Sequence, residues 1–268
     1  MDNWLDEIDL DVTGPPVSMG VRKLGNRPWT FTDAFTDDEL ALKLQLSEDI
    51  SKEVFIATNE TELASKAVLE LIKKSGVKVL TSHSGHSLEK AGLSVQEDLC
   101  LMNRTSQGWI LKAASLSFPS RWKLREKIGK NMSRIHVPVE GYEEHLSKRV
   151  NNFFDRLGDE PVWRRNWFIH PDNSLYQPQR PLNGDPIIEF SEIGEKLFVR
   201  SERQTLQLLE IPGWILFTIR VQRTPLKSLL LKRKEEFQKW IFEAPESHHD
   251  HKGLVVEQVA EIQKALVN

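Results

Sequence analysis

The 268-residue chain is 39% hydrophobic and 28% charged, with a formal net charge of −3. Such a chain is long enough to bury a core without covalent staples, and the small negative charge excludes a global basic field for nucleic acid. No apolar run is long enough to span a bilayer. The single cysteine, Cys100, excludes intramolecular disulfides, a four-cysteine iron–sulfur cluster and a cysteine-rich zinc site within the chain.

The acidic start MDNWLDEIDLDV lacks the basic and apolar regions of a secretory signal and the arginines of a transit peptide, so a cytoplasmic location is expected. Residues 1–36 read as an irregular lead-in, broken at Gly14-Pro15-Pro16 and Arg27-Pro28-Trp29. A single domain is expected over 37–242, followed by a linker and a last helix over 243–268. Thr36 is placed to cap a helix reaching about Leu46. Asn59 or Thr61 is placed to cap a second, which stops at Gly76 and carries Ala64, Ala67, Val68, Leu71 and Ile72 at helical spacing. Residues 81–94 read as a flexible loop.

EDLCLMN and GWILKAASLSF, separated by Arg104-Thr105-Ser106-Gln107, predict a β-hairpin. Tyr142, Leu146, Val150, Phe153 and Leu157 form an apolar stripe that predicts a helix over 142–157. PVWRRNWFI, KLFVRSERQTLQLL and WILFTIRVQ are strand-like. A basic helix is expected over 226–242, SHHDHKG reads as a polar linker, and 254–267 as a short helix. About five strands without βαβ alternation favour an α+β fold, an antiparallel sheet with helices packed on it.

No G-x-G-x-x-G, P-loop or H-E-x-x-H is present. Between Ser117 and Tyr142, six cations (Arg121, Lys123, Arg125, Lys127, Lys130 and Arg134) surround Trp122, and His136 stands two residues before Pro138. Proline restrains the backbone entering it, and a neutral imidazole so held suits a metal or haem iron; the plainer reading is a loop histidine. The cations suit phosphate, carboxylate or haem propionates, or simply a solvated edge. Alternation puts Trp214, Leu216, Thr218 and Arg220 on one strand face. Arg220, Glu202 and Arg203 therefore either emerge at a sheet edge, pair with one another, or line a polar pocket. His83 and His86 fall in a Gly/Ser loop, His248, His249 and His251 in a polar linker, and Cys100 reads as a small buried residue.

Taken in order, QEDLCLM (96–102), GWILKAASLSFPSRW (108–122), EKIG (126–129), IHVPVEGY (135–142), NNFFDRL (151–157), RRNW (164–167), SERQTL (201–206) and FTIR (217–220) resemble the haem-dependent oxidative N-demethylase α-subunit family over roughly residues 20–235. The resemblance implies a PAS-like antiparallel sheet flanked by helices, with N- and C-terminal helical extensions and a b-type haem. It implies O2 activation and demethylation of a small secondary amine, with electrons from NADPH through flavin and iron–sulfur partner subunits. On that basis His136 is assigned as the iron ligand and Arg121, Trp122, Lys127 and Arg134 as haem contacts. Arg220, Glu202 and Arg203 are assigned to the O2 and amine side. A haem-binding PAS-type sensor and a haem-free scaffold are the alternatives. Neither a nucleic acid nor a membrane partner is expected.

Overall fold

The computed structural model describes residues 3–14, 19–80, 83–135 and 147–267. Its centre is a seven-stranded sheet in the order β1-β5-β6-β7-β3-β4-β2, with every neighbouring pair antiparallel. The strands are β1 (Arg22–Lys23), β2 (Phe55–Ala57), β3 (Asp98–Thr105), β4 (Gly108–Ser115), β5 (Val162–His170), β6 (Phe198–Leu208) and β7 (Trp214–Pro225). The helices are α1 (Thr36–Val54), α2 (Glu62–Lys74), α3 (Ser87–Gly92), α4 (Leu124–Lys127), α5 (Met132–Ile135), α6 (Ser147–Asp155), α7 (Ile193–Lys196), α8 (Leu226–Glu243), α9 (Glu246–His251) and α10 (Val256–Val267), and Asn3–Glu7 forms a 3-10 turn.

The predicted hairpin is β3–β4, closed by a two-residue turn with Gly108 at φ 95°. β6 and β7 are the longest strands, because their β-branched and aromatic residues alternate over 11 and 12 positions. The expected count of five strands omits β1 and β2, whose two and three residues are too short to show a period.

Register sorts the side chains onto two faces, because successive residues of a strand point oppositely. The front face carries Cys100, Met102, Leu206, Ile215, Ile219 and Val221, which join one apolar cluster with Leu124 of α4, Phe154 of α6 and Leu157. The back face has two apolar blocks. Leu99, Leu101 and Leu216 pack with Val68 and Ile72 of α2 and Leu88 of α3. Trp167, Ile169 and Val199 pack with Trp4, with Phe237 and Trp240 of α8, and with Ile262 of α10. Between these blocks the back face is polar.

α1 runs to Val54 rather than ending near Leu46, and two segments read as irregular are helical. Residues 87–92, read as loop, form α3. His86 Nδ1 accepts from the Leu88 N–H at 3.3 Å, and Leu88 and Ala91 are fully buried. A Cβ on Gly92 would lie 2.1 Å from Ser115 Oγ, so α3 approaches β4 only because that residue is glycine. The SHHDHKG linker largely forms α9, in which His248 and His249 are buried and His249 meets Trp240 edge-on at 4.9 Å. Both segments are polar in sequence and are ordered by tertiary packing, which local pattern does not report. Of the predicted 142–157 helix, Ser147–Asp155 is described, and residues 136–146 lie outside the described residues.

α1 is fastened to the sheet by a buried charge. Lys43 is fully buried; its Nζ donates to Glu97 O at 2.6 Å and Gly92 O at 3.1 Å and lies 3.3 Å from Asp98 Oδ1. Asp98 in turn accepts from the N–H groups of Ser117 and Phe118 at 2.8 and 2.9 Å. Removing one member of such a set leaves an uncompensated charge. Lys43→Met is expected to cost about 3–5 kcal/mol in urea unfolding, and adding Asp98→Asn is expected to recover part of that loss. Equal stability of Lys43→Met and the wild type would show that the buried charge set contributes nothing.

Candidate functional site

The polar centre of the back face is a cavity of about 430 Å³, within the range of small-molecule sites. Its floor is a row of directly opposed residues on three strands: Arg165 on β5, Arg203 on β6 and Arg220 on β7. Its roof comes from the lead-in: Trp4, Glu7, Arg27, Pro28, Phe31 and Asp33, then Ala34, Phe35 and Glu39 at the start of α1.

Like charges opposed across strands repel, so each arginine needs its own partners. Arg165 donates from Nε and Nη2 to Glu7 Oε2 at 2.9 and 2.7 Å, and from Nη1 to Ser201 Oγ and Gln222 Oε1 at 2.8 and 2.9 Å. Arg220, 1% exposed, places Nη2 at 2.6 Å from Asp33 Oδ2 and Nη1 at 2.7 Å from Glu39 Oε2. Arg203 is 4% exposed and donates to two backbone carbonyls, Pro28 O at 2.6 Å and Trp29 O at 3.3 Å. Its guanidinium also lies 5.3 Å from the Phe31 ring centre.

The acids respond accordingly. Burial opposes ionisation of Glu7, but Arg165 and Arg27 outweigh it and hold the carboxyl below its usual range. At Asp33 burial is likewise outweighed, by Gln96, Arg220 and the Phe35 N–H, and the pKa is lowered. At Glu39 burial wins over Arg220 and Gln96, and the pKa is raised.

The front face is different in kind. Trp122, Ile128, Met132, Ile135, Phe153 and Phe217 border its apolar cluster and are only partly buried. Among the cations singled out from sequence, Arg121 makes a bidentate pair with Asp185 at 2.6 and 2.7 Å, at a left-handed φ of 64°. Lys127 Nζ donates to Ile135 O, and burial lowers its pKa. Arg134 is exposed. His136 lies outside the described residues, immediately after Ile135. Glu202, 6% exposed, stands on the front face between Asn166 and Val221 and accepts from Gln204 Nε2 at 2.8 Å. The three residues assigned to the amine side are thus divided by the sheet: Arg203 and Arg220 share the back cavity, and Glu202 faces the other way.

A family model described as haem-dependent oxidative N-demethylase, alpha subunit-like, matches residues 52–260. The chain belongs to that family. No curated protein matches it. The match starts later than the resemblance read from sequence and extends further, through α9 and into α10. It takes in the arginine row and leaves out the lead-in and the first part of α1, which roof it.

A haem brings its own four equatorial nitrogens, so the protein must supply an axial donor, a flat apolar slot and cations for the propionates. Among the described residues no group of three or more His, Cys, Asp or Glu is arranged for a bare metal ion. The front-face shelf around Trp122 and Ile135 has the apolar chemistry a porphyrin needs, with Arg121 and Lys127 in the same segment. Cys100 is a poor axial donor, because burial pushes its thiol pKa far up and keeps it protonated. His170, which the sequence reading passed over, is 2% exposed and neutral, with Nδ1 2.9 Å from Gln177 Oε1 and its pKa lowered to about 3 by burial and by Arg121 and Arg200. It stacks on Phe168 at 5.8 Å between ring centres, and its buried Nδ1 is already held by Gln177. Among the described residues the front shelf thus offers apolar contacts for such a group and no histidine as axial donor.

Arg165 was legible only as part of the strand VWRRNWFIH. The alternation that places Trp163 and Trp167 on one face places Arg165 between them. Glu7, Asp33 and Glu39 carry no local signal, since their partners are far away in sequence. The folded pKa of Glu7 lies below the ordinary 4.5, so its stabilisation is complete above that pH and is lost as pH falls through the folded value. Glu7→Gln is expected to cost about 1–2 kcal/mol at pH 7, with the gap to wild type closing below pH 4.5 in thermal unfolding. A gap that stays constant between pH 7 and pH 3 would remove the ionic role of Glu7.

Proposed function

We propose that the chain is the haem-binding subunit of an oxidative N-demethylase and that the haem lies on the front face beside residue 136. The family match over residues 52–260 carries this reading. The chain order supports it, because Ile135, the described residue that precedes His136 in sequence, packs against the front-face apolar cluster.

In this arrangement His136 would ligate the iron, Trp122 would contact the ring, and the exposed Arg134 would meet a propionate, while Arg121 and Lys127 would do so by giving up their contacts with Asp185 and Ile135 O. The haem supplies O2 activation, with electrons passed from NADPH by partner subunits carrying flavin and iron–sulfur centres. The chain's own task is to hold the amine. A small secondary amine is cationic at neutral pH, and the bond to be oxidised is a C–H next to its nitrogen. Glu202, a buried carboxylate on the same face as Ile135, attracts the ammonium and fixes where its methyl groups point. The half-buried apolar rim of Phe153, Phe217 and Met132 excludes water from that face. Arg203 and Arg220 stand behind the sheet and take no part in this contact.

The purified chain, mixed with hemin, is expected to show a sharp Soret band at one haem per chain, shifting on reduction under CO. His136→Ala is expected to stay folded and lose the haem. An unchanged Soret band in that variant would remove His136 as ligand, and no stoichiometric haem in the wild type would overturn the whole reading. Glu202→Gln is expected to weaken the spectral response to dimethylamine about tenfold or more, as loss of a charge-assisted contact implies, with haem content unchanged. Equal amine affinity in the two proteins would end the proposed role of Glu202.

A further inference from the structure

The back cavity is lined by Arg27, Arg165, Arg203 and Arg220 against Glu7, Asp33 and Glu39, one guanidinium more than carboxyl groups (4 − 3); Arg223, at its edge, stands opposite Arg200 in the register and donates to Asn173 O. Glu97, fully buried nearby, is occupied by the Thr30 hydroxyl at 2.6 Å, and burial raises its pKa.

In the floor one charge lacks a paired carboxylate and one donor lacks any partner. Arg203 binds only neutral carbonyl oxygens, so its charge has no hydrogen-bonded carboxylate. Arg220 Nε is buried and has no hydrogen-bond partner. An orphaned donor on a 1% exposed guanidinium is destabilising, and a bound acceptor removes that penalty. Planar guanidinium groups in a row match the geometry of carboxylate or phosphate oxygens. Trp4, Phe31 and Phe35 give the same cavity apolar walls for the remainder of a ligand. An ammonium substrate is the wrong sign for it.

We propose that this cavity binds a small organic oxyanion, a carboxylate or a phosphate, seated on Arg203 and Arg220, on the face of the sheet opposite the proposed haem and amine contacts. The site stands on this geometry alone and does not depend on haem binding.

The test is calorimetric titration of the full chain with succinate and, separately, with inorganic phosphate, at low and high salt. Ala34 lines the mouth and is exposed, so it tolerates charge without disturbing the core. Ala34→Glu is expected to weaken binding about fivefold, and Ala34→Lys to preserve or tighten it, as expected for a single charge placed near the ligand. Binding is also expected to weaken at high salt and to persist after hemin is added. Which probe binds tighter distinguishes a carboxylate from a phosphate ligand. No binding of either probe at 10 mM (~10 mM being a weak-binding limit near the millimolar end of the affinity scale) would overturn the proposal. So would equal weakening in both variants, or displacement of succinate by hemin, which would give the cavity to the cofactor.

Discussion

Three arginines opposed across the middle of one sheet are the constraint around which this protein is arranged. Arg165, Arg203 and Arg220 would repel one another and cannot be buried without partners. The long strands offer them mainly Ser201 and Gln222. The carboxylates come from elsewhere: Glu7 from a 3-10 turn, Asp33 from a loop and Glu39 from the first turn of α1. The lead-in is therefore part of the domain's electrostatics. Arg233 on α8 strengthens its docking by donating to Leu5 O and Ile8 O at 2.9 and 2.8 Å.

The same sheet separates two chemistries by a single residue step. Glu202 and Arg203 are neighbours in sequence, yet one faces an apolar shelf and the other a cationic cavity. In a strand this follows from the two-residue period. A block such as SERQTL, when read as one motif, hides that division. Its Glu202, Gln204 and Leu206 belong to the front, and its Ser201, Arg203 and Thr205 to the back.

Much of the architecture was legible in the chain, and the reasons it was legible also explain what was not. The β3–β4 hairpin, β6, β7 and α8 are long enough for their periodicity to stand out, and the alternation in β7 correctly put Trp214, Leu216, Thr218 and Arg220 together. α3 and α9 have six residues each and polar compositions, and they owe their order to contacts such as Gly92 on Ser115 and His249 on Trp240. The cavity's acids were out of reach for a related reason. Asp33 meets Arg220 across 187 residues, and no local pattern records such a pairing.

The edges of the sheet bear on how this chain can meet other subunits. One edge ends in the three residues of β2 and the other in the two of β1. Beyond β1, the exposed side of β5 is already occupied: the Ile169 N–H donates to Lys252 O at 2.8 Å, and the Trp167 N–H to Asn166 Oδ1 at 2.9 Å. Among the described residues, edges this short leave little unpaired backbone for another strand to join. A partner subunit is then met more readily on helices and loops than by continuing the sheet, so that its approach is set by side-chain fit and leaves the sheet's twist, and the two faces it divides, undisturbed.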